Sequence, residues 1–172
     1  NATAAFAAMH MAGCNPAEIA QALECYPGVK RRLELIAKNS KLIYYDDYAH
    51  HPEEIDALIN TIRELYPDKT ITGIFQPHLF TRTRDFGKEF GQSLAKLDVP
   101  IITDIYPARE KPLPGIDANW LLSLIPNERK KYIPYNQLPE FVDTCDEGIL
   151  LTIGAGDIDV HIGTIKNRIE QS

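Results

Sequence analysis

Apolar positions along the chain follow two rhythms, and the change between them divides it. Residues 1–12 are alanine-rich with Phe6, Met9 and Met11, a composition that favours a helix, and Gly13 stops it. Asn15, Pro16 and Glu18 then form a start signal for a second helix, whose apolar stripe is Ile19, Ala22 and Leu23. Two such helices cannot bury themselves. The break at Tyr26-Pro27-Gly28, followed by Lys30, Arg31 and Arg32, marks the expected boundary. Residues 1–27 read as the helical tail of another domain and residues 28–172 as a domain of their own. Because the chain opens inside a helix without a methionine, a fragment of a longer protein is expected.

Beyond the boundary, residues 33–37 and 41–45 read as two short strands around a tight Asn39-Ser40 turn, a hairpin that places one antiparallel strand at a sheet edge. The rhythm then alternates. Helix 53–65 carries Ile55, Leu58, Ile59, Ile62 and Leu65 on one face, and strand 70–75 follows. A loop is expected over 76–83, a helix presenting Phe86, Phe90, Leu94 and Leu97 over 85–97, and a strand over 99–105. After a proline-rich loop, Asp117 caps a short helix to Leu124. A weak strand at 132–135, a short helix at 139–145, a strand at 149–153 and a helix at 157–169 complete the chain. This alternation predicts an α/β fold: a doubly wound, mostly parallel Rossmann-like sheet of about six strands with one antiparallel edge strand, preceded by a helical remnant.

Polar motifs recur at one place in this pattern, after strands. D-D-Y-A-H-H-P follows the first parallel strand, Q-P-H-L-F-T-R-T-R the second, D-I-Y-P-A-R-E the third and G-A-G-D-I the last. Right-handed crossovers bring all of them to one sheet edge, where open α/β sheets place ligands. Asp46 and Asp47 are of the type that closes strand ends. Being adjacent in a strand they point oppositely, so one can face the sheet while the other reaches a ribose or a magnesium ion. His50 and His51 read either as loop surface or as groups that exchange a proton near neutrality. The guanidinium forks of Arg82 and Arg84, with Arg31 and Arg32 at the entrance, match carboxylate or phosphate. Gly154-Ala155-Gly156, between a strand and a helix, could cradle an anion with its amides.

Composition narrows the classes. Eighteen Lys and Arg against twenty-four Asp and Glu give a net charge of -6, which argues against nucleic acid or an anionic membrane as partner. The three cysteines show no metal-type spacing and fit a reducing, cytoplasmic compartment, and neither a membrane span nor a signal peptide is visible. No metal site is expected. There is also no G-x-x-x-x-G-K-[ST] phosphate loop, so the chain is not expected to bind and hydrolyse a nucleotide unaided.

Together K-R-R-L-E after the Y-P-G break, D-D-Y-A-H-H-P, F-Q-P-H-x-x-T-R-T-R-D, D-I-Y-P-A-R-E and G-A-G-D-I closely resemble the carboxyl-terminal domain of the Mur ligases, in the branch that adds alanine. Asn1 is similar to the second asparagine of the H-N-x-x-N signature in that family's central domain. The resemblance implies an ATP-dependent ligase of peptidoglycan synthesis with UDP-N-acetylmuramate and L-alanine as substrates. Its partners would be the enzyme's own amino-terminal and central domains, with ATP and Mg2+ held mainly by the latter. It further implies that Arg32 and Asp47 lie at the nucleotide and that His50 is catalytic near the reacting amine. Tyr48, Arg82, Arg84, Gly156 and Asp157 would face substrate. Leu79 departs from the pattern, since many members have arginine there, and Arg84 or Arg109 is the expected substitute. The rivals are a related ligase that recycles whole peptides, against which T-R-T-R-D argues, and a phospho-receiver module built on Asp46, Asp47 and Asp104.

Overall fold

Strands composed almost wholly of apolar residues must be covered on both faces. In the computed structural model of the protein, which describes residues 2–145 and 147–171, one sheet meets that condition. Among the described residues it has six strands: β1 Glu34–Lys38, β2 Leu42–Asp47, β3 Ile71–Phe75, β4 Val99–Ile102, β5 Lys131–Tyr132 and β6 Gly148–Ile153. The spatial order is β1-β2-β6-β3-β4-β5. β1 is antiparallel to β2, and every other pair is parallel. The doubly wound sheet with one antiparallel edge strand is therefore observed as expected.

The order dictates which helices go where. From β2 the chain steps past β6 to β3, β4 and β5, and right-handed crossovers in that direction put their helices on one face. These are α3 Pro52–Leu65, α5 Gly87–Leu94 and α6 Ala118–Ser123, with Ile55, Leu58, Ile59, Ile62, Phe90, Leu94 and Leu121 packed on Ile43, Tyr45, Phe75 and Leu151. The return to β6 runs the other way. Its helices α7 Leu138–Val142 and α8 Ile162–Gln171 cover the second face, where Leu138, Val142, Ile165 and Ile169 meet Tyr44, Ile74, Ile101 and Leu150.

Ahead of the sheet, α1 Ala2–Met11 and α2 Pro16–Glu24 pack on each other, with the Asn15 side chain capping α2 through the Ala17 amide at 2.8 Å. Among the described residues α1 buries none and α2 buries Ile19. Asn1, compared above with a family signature, lies outside the described residues.

Several expectations need correction, among them the strand expected over 99–105, which ends at Ile102. The loop expected over 76–83 ends at Leu79, because α4 Phe80–Asp85 already begins there, and the helix expected over 85–97 is broken at Phe86 into α4 and α5. The weak strand at 132–135 shrinks to β5, since Pro134 has no amide to continue the ladder after Ile133 bonds to Ile102. The last helix starts as a 3-10 turn over Ile158–His161, and the Asp157 carboxylate is engaged by Gln76 instead of capping it.

At Gly91 in α5, an added Cβ would lie 2.4 Å from the Leu124 carbonyl oxygen after α6. Alanine is the better helix former by about 1 kcal/mol, but a backbone clash of this kind costs about 1–3 kcal/mol. Gly91→Ala should therefore lower the urea midpoint and the thermal midpoint. A variant as stable as the parent would contradict the α5–α6 packing.

Candidate active site

The two acids that end β2 diverge as strand geometry requires. Asp46 turns into the sheet and is fully buried, and Asp47 faces outward. On Asp46, the Thr152 hydroxyl donates to Oδ1 at 2.6 Å and Arg31 Nε donates to Oδ2 at 3.1 Å. Burial pushes its carboxyl above the usual range, while Thr152 and Arg31 pull the other way. Asp47 instead receives backbone amides, Leu33 on Oδ2 at 2.7 Å and Ala49 on Oδ1 at 2.8 Å. Each of its oxygens keeps a lone pair. With Arg32, Leu33, Glu54, Leu58 and Thr61 it lines a recess of about 270 Å3.

The turn between β2 and α3 carries the histidines. His50 Nδ1 lies 2.9 Å from the Tyr48 carbonyl, an acceptor only, and 3.3 Å from Glu54 Oε2, so Nδ1 carries a proton. Glu54 fixes the same turn, accepting from the His50 amide at 2.9 Å and the His51 amide at 3.2 Å. Burial works against ionising Glu54, but the His50 amide and ring, the His51 amide and Arg32 outweigh it and hold its pKa low. His51 caps α3 from the backbone side, and its ring packs edge-on to Phe86 at 4.6 Å. The Tyr48 ring lies 5.0 Å from the Arg31 guanidinium and 5.4 Å from the His50 ring.

After β3, Gln76 is buried and reaches across to the last loop, donating to Asp157 Oδ1 at 2.7 Å and accepting the Ile158 amide at 2.9 Å. His78 stacks on Tyr106 at 5.6 Å, and Arg82 Nη1 lies 3.4 Å from its Nδ1. Since arginine can only donate, that nitrogen is the acceptor of a neutral ring. Burial, then the charges of Arg82 and His50, lower the His78 pKa, with Glu110 opposing. Leu79 adopts φ 71, a region costly for a branched side chain, and is pinned there by its amide on Tyr106 and its carbonyl under Thr83.

The helical start at Phe80 separates the two arginines expected to act together. Residues two apart on a helix point about 200° apart. Arg82 accordingly meets His78, while Arg84 is exposed and paired with Asp85 at 2.7 Å. In the last loop the Gly154 amide bonds to the Asp47 carbonyl, and the carbonyls of Gly154 and Gly156 face Arg31. An added Cβ at Gly156 would lie 2.3 Å from Gln76 Oε1 and 2.7 Å from Tyr106 Cβ, so a side chain there would displace the Gln76 tie.

The structure thus gathers Arg32, Asp47, Tyr48 and His50 at the end of β2, with Gly156 and Asp157 on the adjoining β6 loop and Arg82 on the β3 side. Two organisers differ from the sequence reading: Arg31, expected with Arg32 to meet a ligand anion, is a cross-link, and Gln76, not singled out, is a tie. The side-chain partners of Gln76 and the loop carbonyls held by Arg31 lie more than eighty positions away, although Asp46, another Arg31 partner, is 15 away. For magnesium, the described residues offer no group of three or more His, Cys, Asp or Glu side chains. With Asp46 occupied by Arg31 and Thr152, the described residues do not form a cage for the ion. For a nucleotide, the Arg32 and Asp47 recess offers a cation and free carboxylate lone pairs, which suit phosphate and ribose hydroxyls.

A doubly wound sheet with acids, imidazoles and guanidinium groups at its carboxyl edge is an α/β domain of the class that places ligands at that edge. Residues 31–157 match the family model described as Mur ligase, glutamate ligase domain, and the chain belongs to the Mur ligase family. It is 49% identical over 171 residues to the UDP-N-acetylmuramate–L-alanine ligase of Cytophaga hutchinsonii, covering 99% of this chain and 37% of that relative. The enzyme of the same name from Flavobacterium psychrophilum is 43% identical, over 99% of this chain and 38% of its own length. The crystal structure of UDP-N-acetylmuramate-alanine ligase from Thermotoga maritima superposes with a TM-score of 0.81 at 25% identity, covering 99% of this chain and 37% of that one. The chain therefore spans well under half the length of these relatives.

His78 provides a pH test of the site. A lowered pKa means that the unfolded chain binds this proton more readily than the folded one, so its contribution to stability is present above about 6.5 and is lost as pH falls through the folded value. Ring resonances of His78 should titrate below the ordinary 6.5, and Arg82→Met should move the titration upward. A His78 titration at or above 6.5 would refute the geometry described for this pair.

Proposed function

We propose that the chain is the carboxyl-terminal, amino-acid-binding domain of an ATP-dependent ligase that joins L-alanine to the muramoyl carboxylate of UDP-N-acetylmuramate in peptidoglycan precursor synthesis. The observation that carries this reading is the 49% identity over 171 residues to the Cytophaga hutchinsonii protein of that name. Since the chain covers 37% of that relative, the reading assigns the sugar nucleotide and most of the ATP contacts to two further domains. Residues 1–27 would be the last helices of the central one. Among the described residues no helix is long and apolar enough to cross a membrane, in keeping with a proposed cytoplasmic enzyme.

ATP with magnesium would supply the phosphoryl group that makes the muramoyl carboxylate an acyl phosphate, from which the alanine amine displaces phosphate. This domain's residues serve the second half of that reaction. In its neutral form His50 accepts the proton of the attacking amine at Nε2, and what supports this role is the Tyr48 carbonyl on Nδ1, which places the neutral ring's own proton there. Arg82 offers a cation to the amino acid's carboxylate or to charge developing on oxygen. Tyr48, Gly156 and Asp157 shape the amino-acid side, and Arg32 and Asp47 the ribose and phosphate side. Arg84 would have to leave Asp85 to take part.

The chain alone should release no phosphate above background when given the sugar nucleotide, alanine and magnesium-ATP, whereas the full-length enzyme should do so in an alanine-dependent manner. Full-length enzyme indifferent to alanine would overturn the substrate assignment. In that enzyme His50→Ala should lower kcat about a hundred-fold with little change in thermal midpoint, and His51→Ala should cost stability more than turnover. Asp47→Asn should raise the KM for ATP about ten-fold while leaving that for alanine nearly unchanged. Unaltered turnover in His50→Ala would remove it from the chemistry.

A further inference from the structure

Arg31 carries more of the site's architecture than any residue expected from sequence to bind substrate. It adopts φ 57, with its amide on Glu34 Oε2 at 2.7 Å and its carbonyl accepting the Tyr48 amide at 2.8 Å, so its backbone is fixed on both sides. From there the guanidinium spans three segments. Nε donates to Asp46 at the end of β2, Nη2 to the Gly154 carbonyl at 2.6 Å and Nη1 to the Gly156 carbonyl at 3.4 Å, with Asp159 3.3 Å from Nη1. Its face lies 5.0 Å from the Tyr48 ring. The side chain is 17% exposed, so it holds the protein's own acceptors and is not presented to a ligand.

We propose that Arg31 is a positioning residue: its guanidinium fixes the loop of residues 154–157 and the Tyr48 ring relative to the end of β2, and so sets the affinity for the amino-acid substrate without touching it. The inference rests on the proposed assignment of Tyr48, Gly156 and Asp157 to the amino-acid side. Lysine cannot replace it. An ammonium group presents its donors from one point, whereas the planar fork reaches a carboxylate and two carbonyls on separate segments at once. Gln76 fixes the far end of the same loop, at Asp157 and Ile158, and the Gly154 amide is held by the Asp47 carbonyl, which leaves the Gly154 and Gly156 carbonyls to Arg31.

Two variants of the full-length protein test this. In Arg31→Lys the charge near Asp46 survives, and in Arg31→Met it does not, so Arg31→Lys remains informative if Arg31→Met fails to fold. Amide exchange over residues 154–157 should accelerate about ten-fold in Arg31→Lys, the scale of lost charge-assisted hydrogen bonds, while residues 149–153 of β6 keep their protection. The KM for alanine should rise about ten-fold with the KM for ATP within about two-fold of the parent. Unchanged exchange in the loop, an unchanged KM for alanine, or a parallel rise in both KM values would overturn the inference. If the parent enzyme proves not to use alanine, the functional reading falls, and the exchange measurement still decides whether Arg31 positions the loop.

Discussion

Strand β6 is hydrogen-bonded along its length to β2 on one side and to β3 on the other, and the site depends on that insertion. Parallel strands end on one side of a sheet, but only neighbours bring their loops within side-chain reach. With the order β2-β6-β3 the D-D-Y-A-H-H-P, G-A-G-D and Q-P-H segments become adjacent, although the second of them lies about a hundred residues beyond the first in sequence. Close packing at both ends of β6 demands glycine. At Gly148, with φ 151, a Cβ would fall 2.2 Å from the Thr70 carbonyl oxygen, and at Gly154, with φ 146, 2.7 Å from that of Gln76. These glycines let the strand enter and leave between its neighbours without displacing them.

The same insertion explains why a charged group can be buried at the end of β2. Thr152 of β6 stands opposite Asp46 in register, and its single hydroxyl proton goes to the carboxylate. The Tyr44 hydroxyl, 3.0 Å from Thr152, must then donate to it, and burial raises the Tyr44 pKa so that this proton is retained. A relay of donors thus converges on Asp46 from the core, with Arg31 on the other side. A buried pair of this sort is weak evidence for stability, because desolvation offsets much of the attraction, but breaking it leaves an uncompensated charge. Its effect here is to fix position. The arrangement also disposes of the phospho-receiver alternative: β2 and β4 are three strand spacings apart, about 14 Å, and Asp104 is engaged by the Tyr132 hydroxyl and the Tyr135 amide.

What could be read from sequence was set by near neighbours. The alternation of stripes and apolar runs is local, and it yields the parallel sheet, the antiparallel edge and the divergence of Asp46 from Asp47. The family motifs add the residues at the end of β2. Positions decided by distant contacts were not legible. Phe80 begins a helix because Leu79 is held at φ 71 by Tyr106, so the loop reading of 76–83 failed and Arg84 pointed away. Arg31 and Arg32 look equivalent in the sequence. Only the position of the β6 loop turns one inward as a cross-link and leaves the other beside Asp47 in the recess.

That contrast extends to the other arginines and says where an anion could be received. Arg31, Arg63, Arg84 and Arg168 each have a carboxylate within ion-pair distance. Among the described residues Arg32, Arg82 and Arg109 have none, and all three stand at the carboxyl edge of the sheet. Arg82's nearest titratable partner is His78, whose lowered pKa keeps it neutral, and the acid of the neighbouring loop, Glu110, is held by the amide and hydroxyl of Thr81. The protein therefore leaves these guanidinium groups without an ion-pair partner at the sheet edge, Arg32 near enough to Glu54 to lower its pKa and Arg82 beside His78. In the proposed reaction, phosphate approaches on the Arg32 side and the amino acid's carboxylate on the Arg82 side. Leaving these cations unpaired avoids the cost of breaking an internal ion pair before either anion can bind.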